Sequence, residues 1–449
     1  MLLELAVTNF RSIKERQVLS LVPAGKISER PNLPARSEKY PAVFALKSAV
    51  IYGANNAGKS NLLKAFRALK WLVETSNTFQ PGKKLEANEF FYFDLTTRKK
   101  PTVFEIDFIA PDKQRYQYAI SFDHEQILKE ELFFYLKKDE GRMTAARLYL
   151  REHGKPIKFG DYYRGQRKSI EEELLPNQLF LSKAVNKNQE QLIPVYLYFS
   201  AHLGISILPE EYNELQLAGL GKYIAENNET PIVKLIERLL TEVDAGIMGI
   251  EVGEDDEVPT IQFPDDFPEA EKDKIKRDFI ERFKYRIRIR HRMFDKNREI
   301  GTETLPLKEQ STGTIKFFNV IQLLLMALSD GDTVIIDELD KSLHPHLTRS
   351  LIELFHNQKT NPKNAQLIFA THDPTLLSSG SFSRDQMYFL EKNEFGATEV
   401  FSLSSFTGLR KDTPIGDWYL TGRFGAVPNL DEEHMVSEIA NSGIFNGKN

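Results

Sequence analysis

Four groups of residues in this sequence have types and spacings that suit chemistry on a phosphate. Gly53-Ala-Asn-Asn-Ala-Gly58-Lys59-Ser60 fits G-x-x-x-x-G-K-[ST], the phosphate-binding loop. Its glycines let backbone N–H groups converge on an anion, and a helix beginning there adds the positive end of its dipole. In such a loop Lys59 reaches the β- and γ-phosphates and the Ser60 hydroxyl ligates Mg2+. Asn55, Asn56, Ala57 and Asn61 belong to the same nucleotide-contacting stretch. Asp337-Glu338 closes the apolar run Thr333-Val-Ile-Ile336. There Asp337 is expected to hold Mg2+ through its waters, and Glu338 to polarise the attacking water. The turn Ser311-Thr-Gly313 feeds an apolar helix and offers a second helix N-terminus to an anion, although the same residues also make an ordinary cap. His372 ends a buried-looking run, Gln366-Leu-Ile-Phe-Ala370; a lone histidine there is more often structural than functional.

These residues need elements to position them. Lys47-Ser-Ala-Val-Ile-Tyr52 reads as a buried strand leading into the loop. Leu62, Phe66, Leu69 and Val73 then fall on one face of a helix, which gives the strand–loop–helix context the motif requires. Leu2–Ile13 and Gln17–Val22 read as a hairpin at the edge of the catalytic sheet, and residues 23–46 as a connection. Residues 103–150 alternate with period two, with Phe104, Ile106 and Phe108 on one face and Tyr116, Tyr118, Ile120 and Phe122 on another. That is an antiparallel meander whose aromatic stripes suit a core better than base stacking. From Ile170 to about Leu240 the period becomes helical, with Ile232, Leu235, Ile236 and Leu239 as one apolar face. No sustained heptad runs through it, so a compact helical lobe is expected rather than a long coiled coil. Glu251–Glu257 and Pro264–Glu271 read as an acidic loop. Lys284, Arg286, Arg288, Arg290 and Arg292 alternate along a strand, either as a DNA- or partner-binding row or as an edge strand paired with that loop.

The whole chain bounds these readings. Its 449 residues allow two or three domains, and 41% hydrophobic with 27% charged content is ordinary for a globular protein. A net charge of −5 does not advertise nucleic acid, so any such contact needs a local patch or a partner. With no cysteine, disulfides and Cys-ligated metals are excluded, which suits a reducing cytoplasm. No apolar run approaches a membrane span, so a cytosolic protein is expected. The chemistry expected is Mg2+-dependent ATP hydrolysis. A GTPase fits less well, because Asn186-Lys-Asn-Gln189 lacks the Asp that guanine recognition requires.

Several motifs carry a resemblance. Asn9-Phe-Arg-Ser12, some forty residues before a phosphate loop, resembles the ABC-type ATPases of the SMC, RecF and OLD class. The resemblance implies that Arg11 lies near the nucleotide. It also implies that Ser311 and Gly313 are a shortened signature touching the γ-phosphate held by an opposite protomer, and that His372 is the switch histidine. Asp340-Lys-Ser-Leu-His-Pro345 resembles the D-loop, and the run from Glu338 is similar to that of OLD-type ATPases. The family's Mg2+-touching Gln has no assigned counterpart; Gln80 and Gln117 are the nearest. The tail Tyr419-Leu-Thr-Gly-Arg-Phe-Gly-Ala-Val-Pro428 resembles the ending of the RloA/AbiL group of antiphage ATPases, which pair with a separate RloB-type, nuclease-like protein.

The expected fold is α/β: a P-loop NTPase of ABC or SMC-head type with an antiparallel β subdomain and an inserted helical lobe. The expected layout is residues 1–160 (phosphate loop and β subdomain), 161–280 (lobe) and 281–449 (signature, Asp-Glu pair, histidine and tail). The implied partners are a second copy in a head-to-tail dimer with composite ATP sites and a separate effector, RloB-like or another TOPRIM-type nuclease. DNA or a phage-derived trigger completes the expected set. The alternative is a RecF-like repair ATPase that binds DNA itself through residues 284–292.

Overall fold

The structure is a computed structural model that describes residues 1–25, 27, 30–137, 143–206, 214–254, 284–410, 412–427 and 432–442. The chain is α/β and divides into two compact units. One comprises residues 2–109, 113–193 and 372–449; the other comprises residue 1, 110–112 and 194–371.

In the first unit, β1 (Leu2–Thr8) and β2 (Gln17–Ser20) form the expected hairpin. β3 (Ala35–Arg36) and β4 (Phe44–Ala45) make a short ladder within the connection, and β5 (Ser48–Gly53) leads into the phosphate loop. The meander is β6 (Thr102–Ile109), β7 (Arg115–Phe122), β8 (Ile127–Lys137), β9 (Met143–Glu152) and β10 (Lys158–Phe159). These strands join the hairpin in a seven-stranded antiparallel sheet of order β10-β9-β8-β7-β6-β1-β2. The hairpin is therefore an edge of the antiparallel sheet, not of the sheet that carries the phosphate loop. Val7 pairs with Phe104 and Leu5 with Ile106, which puts β1's apolar residues in register with the buried stripe of β6. Phe104, Ile106, Phe108, Tyr116, Tyr118, Ile120 and Phe122 are all buried, so the aromatic stripes are core.

The second unit holds β11 (Leu203–Ser206), β12 (Ile247–Glu254), β13 (Tyr285–Asp295), β14 (Arg298–Pro306), β15 (Thr333–Ile336) and β16 (Gln366–Ala370). β11, β15 and β16 run parallel with β15 in the middle, and β15 is buried throughout, as a parallel strand covered on both faces should be. The stretch 161–280 thus contributes β11 and β12 as well as helices. Among the latter, Pro231–Val243 buries Val233, Ile236 and Leu240, while Leu235, expected inside, is 40% exposed. An i, i+3, i+7 stripe faces the core, and the expected face lies a residue out of phase with it.

β13 is the centre of the three-stranded sheet β12-β13-β14, not an edge. Its alternation buries Ile287 and Ile289 and places the arginines on the other face. Lys284 pairs with Glu254 at 2.7 Å and Arg290 with Glu251 at 3.2 Å, both acids being on β12. The expected acidic loop beyond Glu254 lies outside the described residues.

The helix Thr312–Asp330 has the length and hydropathy of a membrane span, yet 56% of its apolar window is buried. It is capped at its end by Gly331 in the left-handed region. The first unit closes with β17 (Met387–Lys392), parallel to β5, and β18 (Thr398–Ser402), antiparallel to β17.

Candidate functional site

The phosphate loop is shaped by backbone conformations that few residues tolerate. Asn56 sits at φ 68° and Gly58 at φ 110°. A Cβ on Gly58 would fall 2.2 Å from Thr398 Oγ1, and one on Gly53 2.6 Å from the Leu390 carbonyl, so neither position admits a side chain. The helix Lys59–Thr75 starts at Gly58 without a side-chain cap and with no acidic residue in its first turn, leaving its N-terminal N–H groups to an anion. Leu62, Phe66, Leu69 and Val73 are buried on its inner face, as the periodicity predicts. Lys59 is 7% exposed and its Nζ donates back to the carbonyls of Gly53 (2.7 Å) and Ala54 (3.2 Å). Asn55 and Asn56 are exposed, Ala57 is buried, and Ser60 and Asn61 are half-buried.

Residues that the motif does not include hold this loop. Thr398 Oγ1 lies 2.8 Å from the Ala57 carbonyl, to which it donates, and 2.8 Å from Ser12 Oγ. Asn61 Nδ2 donates to Ser12 Oγ at 2.8 Å, and Arg11 donates to Asn61 Oδ1 at 3.2 Å. Arg11 also pairs with Glu89 at 2.5 Å, adopts φ 52°, and keeps a buried Nε with no hydrogen-bond partner among the described residues. Asn9, at φ 50°, donates to the carbonyls of Thr97 and Lys100 and accepts from Phe91 N–H. Asn-Phe-Arg-Ser is therefore a built corner: Asn9 fixes the turn, Phe10 enters the core, and Arg11 and Ser12 face the loop's helix.

The tail packs against the same strand. Tyr419 lies 5.3 Å from Tyr52 and 5.6 Å from Phe389 between ring centroids, and Phe424 lies 5.5 Å from Phe389. Glu391 accepts from Ala426 N–H at 3.2 Å. Pro428 lies outside the described residues. The Tyr52 hydroxyl donates to the Asp373 carbonyl at 2.9 Å, tethering the residue after His372 to β5. His372 itself is exposed.

In the other unit, β15 delivers Asp337 and Glu338. The Asp337 N–H donates to the Ser206 carbonyl and the Leu339 N–H to the Ala370 carbonyl, each at 3.1 Å, which extends the ladder past the strand end. Glu338 adopts φ 50°, a left-handed conformation that costs a non-glycine residue roughly 1–3 kcal/mol and gathers at functional positions. Asp337 Oδ1 is buried with no hydrogen-bond partner among the described residues, a lone pair left for a ligand. Glu338, 42% exposed at its side chain, pairs with Lys341 at 3.2 Å.

Ser311 caps the helix Thr312–Asp330, its Oγ accepting from Thr314 N–H at 3.1 Å. A Cβ on Gly313 would meet the Ser342 carbonyl at 2.8 Å, so the Ser311–Gly313 turn and the loop after Glu338 touch. Lys316, one turn on, is 4% exposed; burial holds its ammonium pKa below the usual lysine value, against the opposing pull of Glu338, Asp340 and Asp337. Sequence reasoning gave no role to Thr398, Tyr52 or Lys316, and none of their own to Ser12 and Tyr419 within the Asn-Phe-Arg-Ser and tail motifs it singled out.

Both halves fit nucleotide and metal. The loop is a cradle in which a Cβ would clash, and the acidic strand end presents an orphaned carboxylate oxygen. Residues 48–378 match the sequence profile of the family described as AAA domain, putative AbiEii toxin, type IV toxin–antitoxin system. No curated protein matches the chain. Among solved structures, the SMC head domain from Thermotoga maritima is 15% identical and covers 89% of this chain and 98% of its own, with TM-score 0.35. An SMC head bound to the C-terminal winged-helix domain of ScpA is 12% identical, covering 89% and 97%, with TM-score 0.40. The recombination mediator RecF is 13% identical, covering 89% and 98%, with TM-score 0.34. The family match carries the assignment; overlays this loose add no weight to it.

Proposed function

For a chain that belongs to this AAA-domain family of putative AbiEii toxins, we propose a Mg2+-dependent ATPase of an antiphage-defence system, nearest in kind to the RloA/AbiL group. The observation that carries the ATPase reading is the uncapped helix N-terminus behind a loop strained at Asn56 and Gly58. In this reading the backbone of residues 53–61 grips the triphosphate, and Lys59 leaves the carbonyls of Gly53 and Ala54 for the outer phosphates. Ser60 and Asp337 hold Mg2+, which when bound neutralises charge on the phosphates. Glu338 orients and polarises the attacking water, and His372 contacts the γ-phosphate. Arg11 lies close to the nucleotide, aimed by Glu89 and Asn61.

Ser311 and Gly313 serve the nucleotide of a second copy in a head-to-tail dimer, so that assembly and hydrolysis are linked. The cytoplasmic dimer scaffolds or controls a separate nuclease-like effector, and the trigger is a phage product or DNA. The test compares wild type with Lys59→Ala and Glu338→Gln. Lys59→Ala should lose ATP binding, whereas Glu338→Gln should keep ATP, dimerise with ATP and Mg2+, and lose turnover. A Glu338→Gln variant that turns over ATP normally ends the assignment.

A second reading, direct DNA binding, is favoured by one observation: Arg286, Arg288, Arg290 and Arg292 line one face of β13 opposite its buried isoleucines. ATP-dependent, salt-sensitive DNA binding without a protein partner would support it.

A further inference from the structure

We propose that Thr398 and Ser12 are positioning residues that turn the Ala57–Gly58 peptide so that the Gly58 N–H faces a bound phosphate; the proposal rests on the ATPase reading above. Both residues lie outside the stretch 48–378 that matches the family, so the role belongs to the Asn-Phe-Arg-Ser corner and β18 rather than to the loop motif.

The contacts are direct. Thr398 Oγ1 lies 2.8 Å from the Ala57 carbonyl oxygen and 2.8 Å from Ser12 Oγ. The Ser12 carbonyl also accepts from the Thr398 N–H at 2.7 Å, so backbone and side chain both join the two. Thr398 and Ser12 are buried, which keeps water from competing for these bonds. A Cβ on Gly58 would stand 2.2 Å from Thr398 Oγ1 and 2.9 Å from Ser12 Oγ. Both hydroxyls therefore press on Gly58 from the side where a side chain would be. A peptide unit is planar and trans, so its C=O and N–H point in opposite directions. With the Ala57 carbonyl held by Thr398, the Gly58 N–H is turned away from Thr398 and joins the N–H groups of the uncapped helix start. A peptide flipped the other way would aim a carbonyl, the negative end of its dipole, at the phosphate.

Donor chemistry fixes the direction of the chain of bonds. A carbonyl only accepts, so the single Thr398 hydroxyl proton goes to Ala57, and Ser12 donates its own to Thr398 Oγ1. Ser12 Oγ accepts from Asn61 Nδ2 at 2.8 Å. Asn61 Oδ1 in turn accepts at 3.2 Å from the guanidinium of Arg11, which has donors only. Every proton thus points from the Arg11 cation toward the loop carbonyl. Bonds aligned head to tail polarise one another, and here a positive charge stands at the donor end. Ser12 acts through Thr398, and Thr398 acts on the loop.

The test uses the full chain and a fluorescent ATP analogue, at a temperature where circular dichroism shows each variant folded. Thr398→Val keeps the shape and removes the donor, and should weaken binding by about tenfold or more. Thr398→Ser keeps the hydroxyl and should bind within about threefold of wild type. Ser12→Ala should weaken binding by about threefold alone, but by less than about twofold when Thr398→Val is already present. Thr398→Val that binds like wild type, Thr398→Ser that binds no better than Thr398→Val, or additive losses would each overturn the proposal. Should Thr398→Val not fold, Thr398→Ala completes the same series.

Turnover separates positioning from mere support of the fold. In Thr398→Val, KM for ATP should rise by about tenfold or more while kcat changes by less than about threefold. A variant damaged only in folding would instead lose apparent kcat at constant KM, and that result counts against a positioning role. Wild type that binds no ATP analogue ends the ATPase reading and this proposal with it. Wild-type binding that Thr398→Val leaves untouched ends this proposal alone.

Discussion

Glu130 on β8 and Asp337 beyond β15 are both carboxylates set into apolar sheets, and they are held in opposite ways. Glu130 is fully buried and accepts from the Tyr118 and Tyr149 hydroxyls at 2.9 and 2.8 Å and from the N–H groups of Phe180 and Leu181 at 2.6 and 2.9 Å. Arg151 stands 3.6 Å away and donates to the carbonyls of Gln178 and Leu175. Every direction around that carboxylate is filled, so it welds the antiparallel sheet to the segment that packs on the phosphate-loop helix through Ser182 and Val73. Asp337 keeps a buried oxygen without a donor among the described residues, and its neighbour Glu338 is held in a strained backbone. An unfilled buried acceptor costs about 1–3 kcal/mol, and the ATPase reading proposed above gives this one a metal to hold. The first carboxylate is a joint; the second is a socket.

Neutralising each carboxylate separates the two roles. Glu338→Gln should lower ATP turnover by roughly 10²–10⁴-fold, the usual worth of a positioned acid or base, with unfolding free energy changed by less than about 1 kcal/mol. Glu130→Gln should do the reverse. It leaves Arg151 buried without its countercharge and turns one of the two acceptor oxygens into a donor facing a backbone N–H group, which costs about 3–5 kcal/mol. Urea unfolding and steady-state turnover on both variants check the pair. If Glu130→Gln lowers turnover while leaving stability intact, the joint-and-socket distinction is wrong.

Alkali should find the joint before the socket. Burial, then the charge of Glu130, raise the Tyr118 and Tyr149 phenols well above their usual pKa of 10.0. Burial pushes Tyr163 and Tyr388 up to about 12. A phenol whose pKa is raised by folding contributes stability that is complete below the unfolded value and is lost as pH climbs through the folded one. Unfolding midpoints should therefore hold up to pH 10.0 and fall from there toward about 12. Tyr118→Phe should flatten that fall, and a slope unchanged by it would show that the network does not carry the alkaline loss.

The sequence made the socket easier to see than the joint, and the reason is spacing. Gly53–Asn61, Ser311–Gly313 and Asp337–Glu338 are contiguous, so their chemistry is written in neighbouring letters. Ser12 and Thr398 meet under the phosphate loop although 386 positions separate them; Ser12 belongs to the Asn-Phe-Arg-Ser motif, but nothing local ties that motif to Thr398. Glu130 is likewise completed by residues up to 51 positions away. Period-two alternation found the meander and β13 but could not say which strands lie beside them. β14 is polar and largely exposed, with no apolar alternation to mark it, so β13 read as an edge when it is a centre. A helical period likewise located the helix Pro231–Val243 but mis-phased its buried stripe.

The smallest expected effect belongs to β13, and its smallness is informative. Arg290 and Glu251 sit 3.2 Å apart with side chains 38% and 46% exposed, where solvent screening leaves such a pair worth less than about 1 kcal/mol. The strand is held by ladders to β12 and β14 and by Ile287 and Ile289 beneath it, none of which needs the charge. Arg290→Ala should therefore leave stability and ATP turnover at wild-type levels. Its arginines are then surplus to folding, in contrast to Arg151, and the question becomes whether a polyanion uses them. Replacing Arg288, Arg290 and Arg292 together by alanine separates the outcomes. Under the DNA reading, affinity drops and the salt slope flattens by about 0.9 per phosphate contact removed. Under the defence-scaffold reading there is no DNA affinity to lose, and retention of a co-purifying effector is the property to follow. A variant that loses stability by several kcal/mol instead would make this row a third kind of charge, structural despite its exposure, and would break the rule that the two carboxylates suggest.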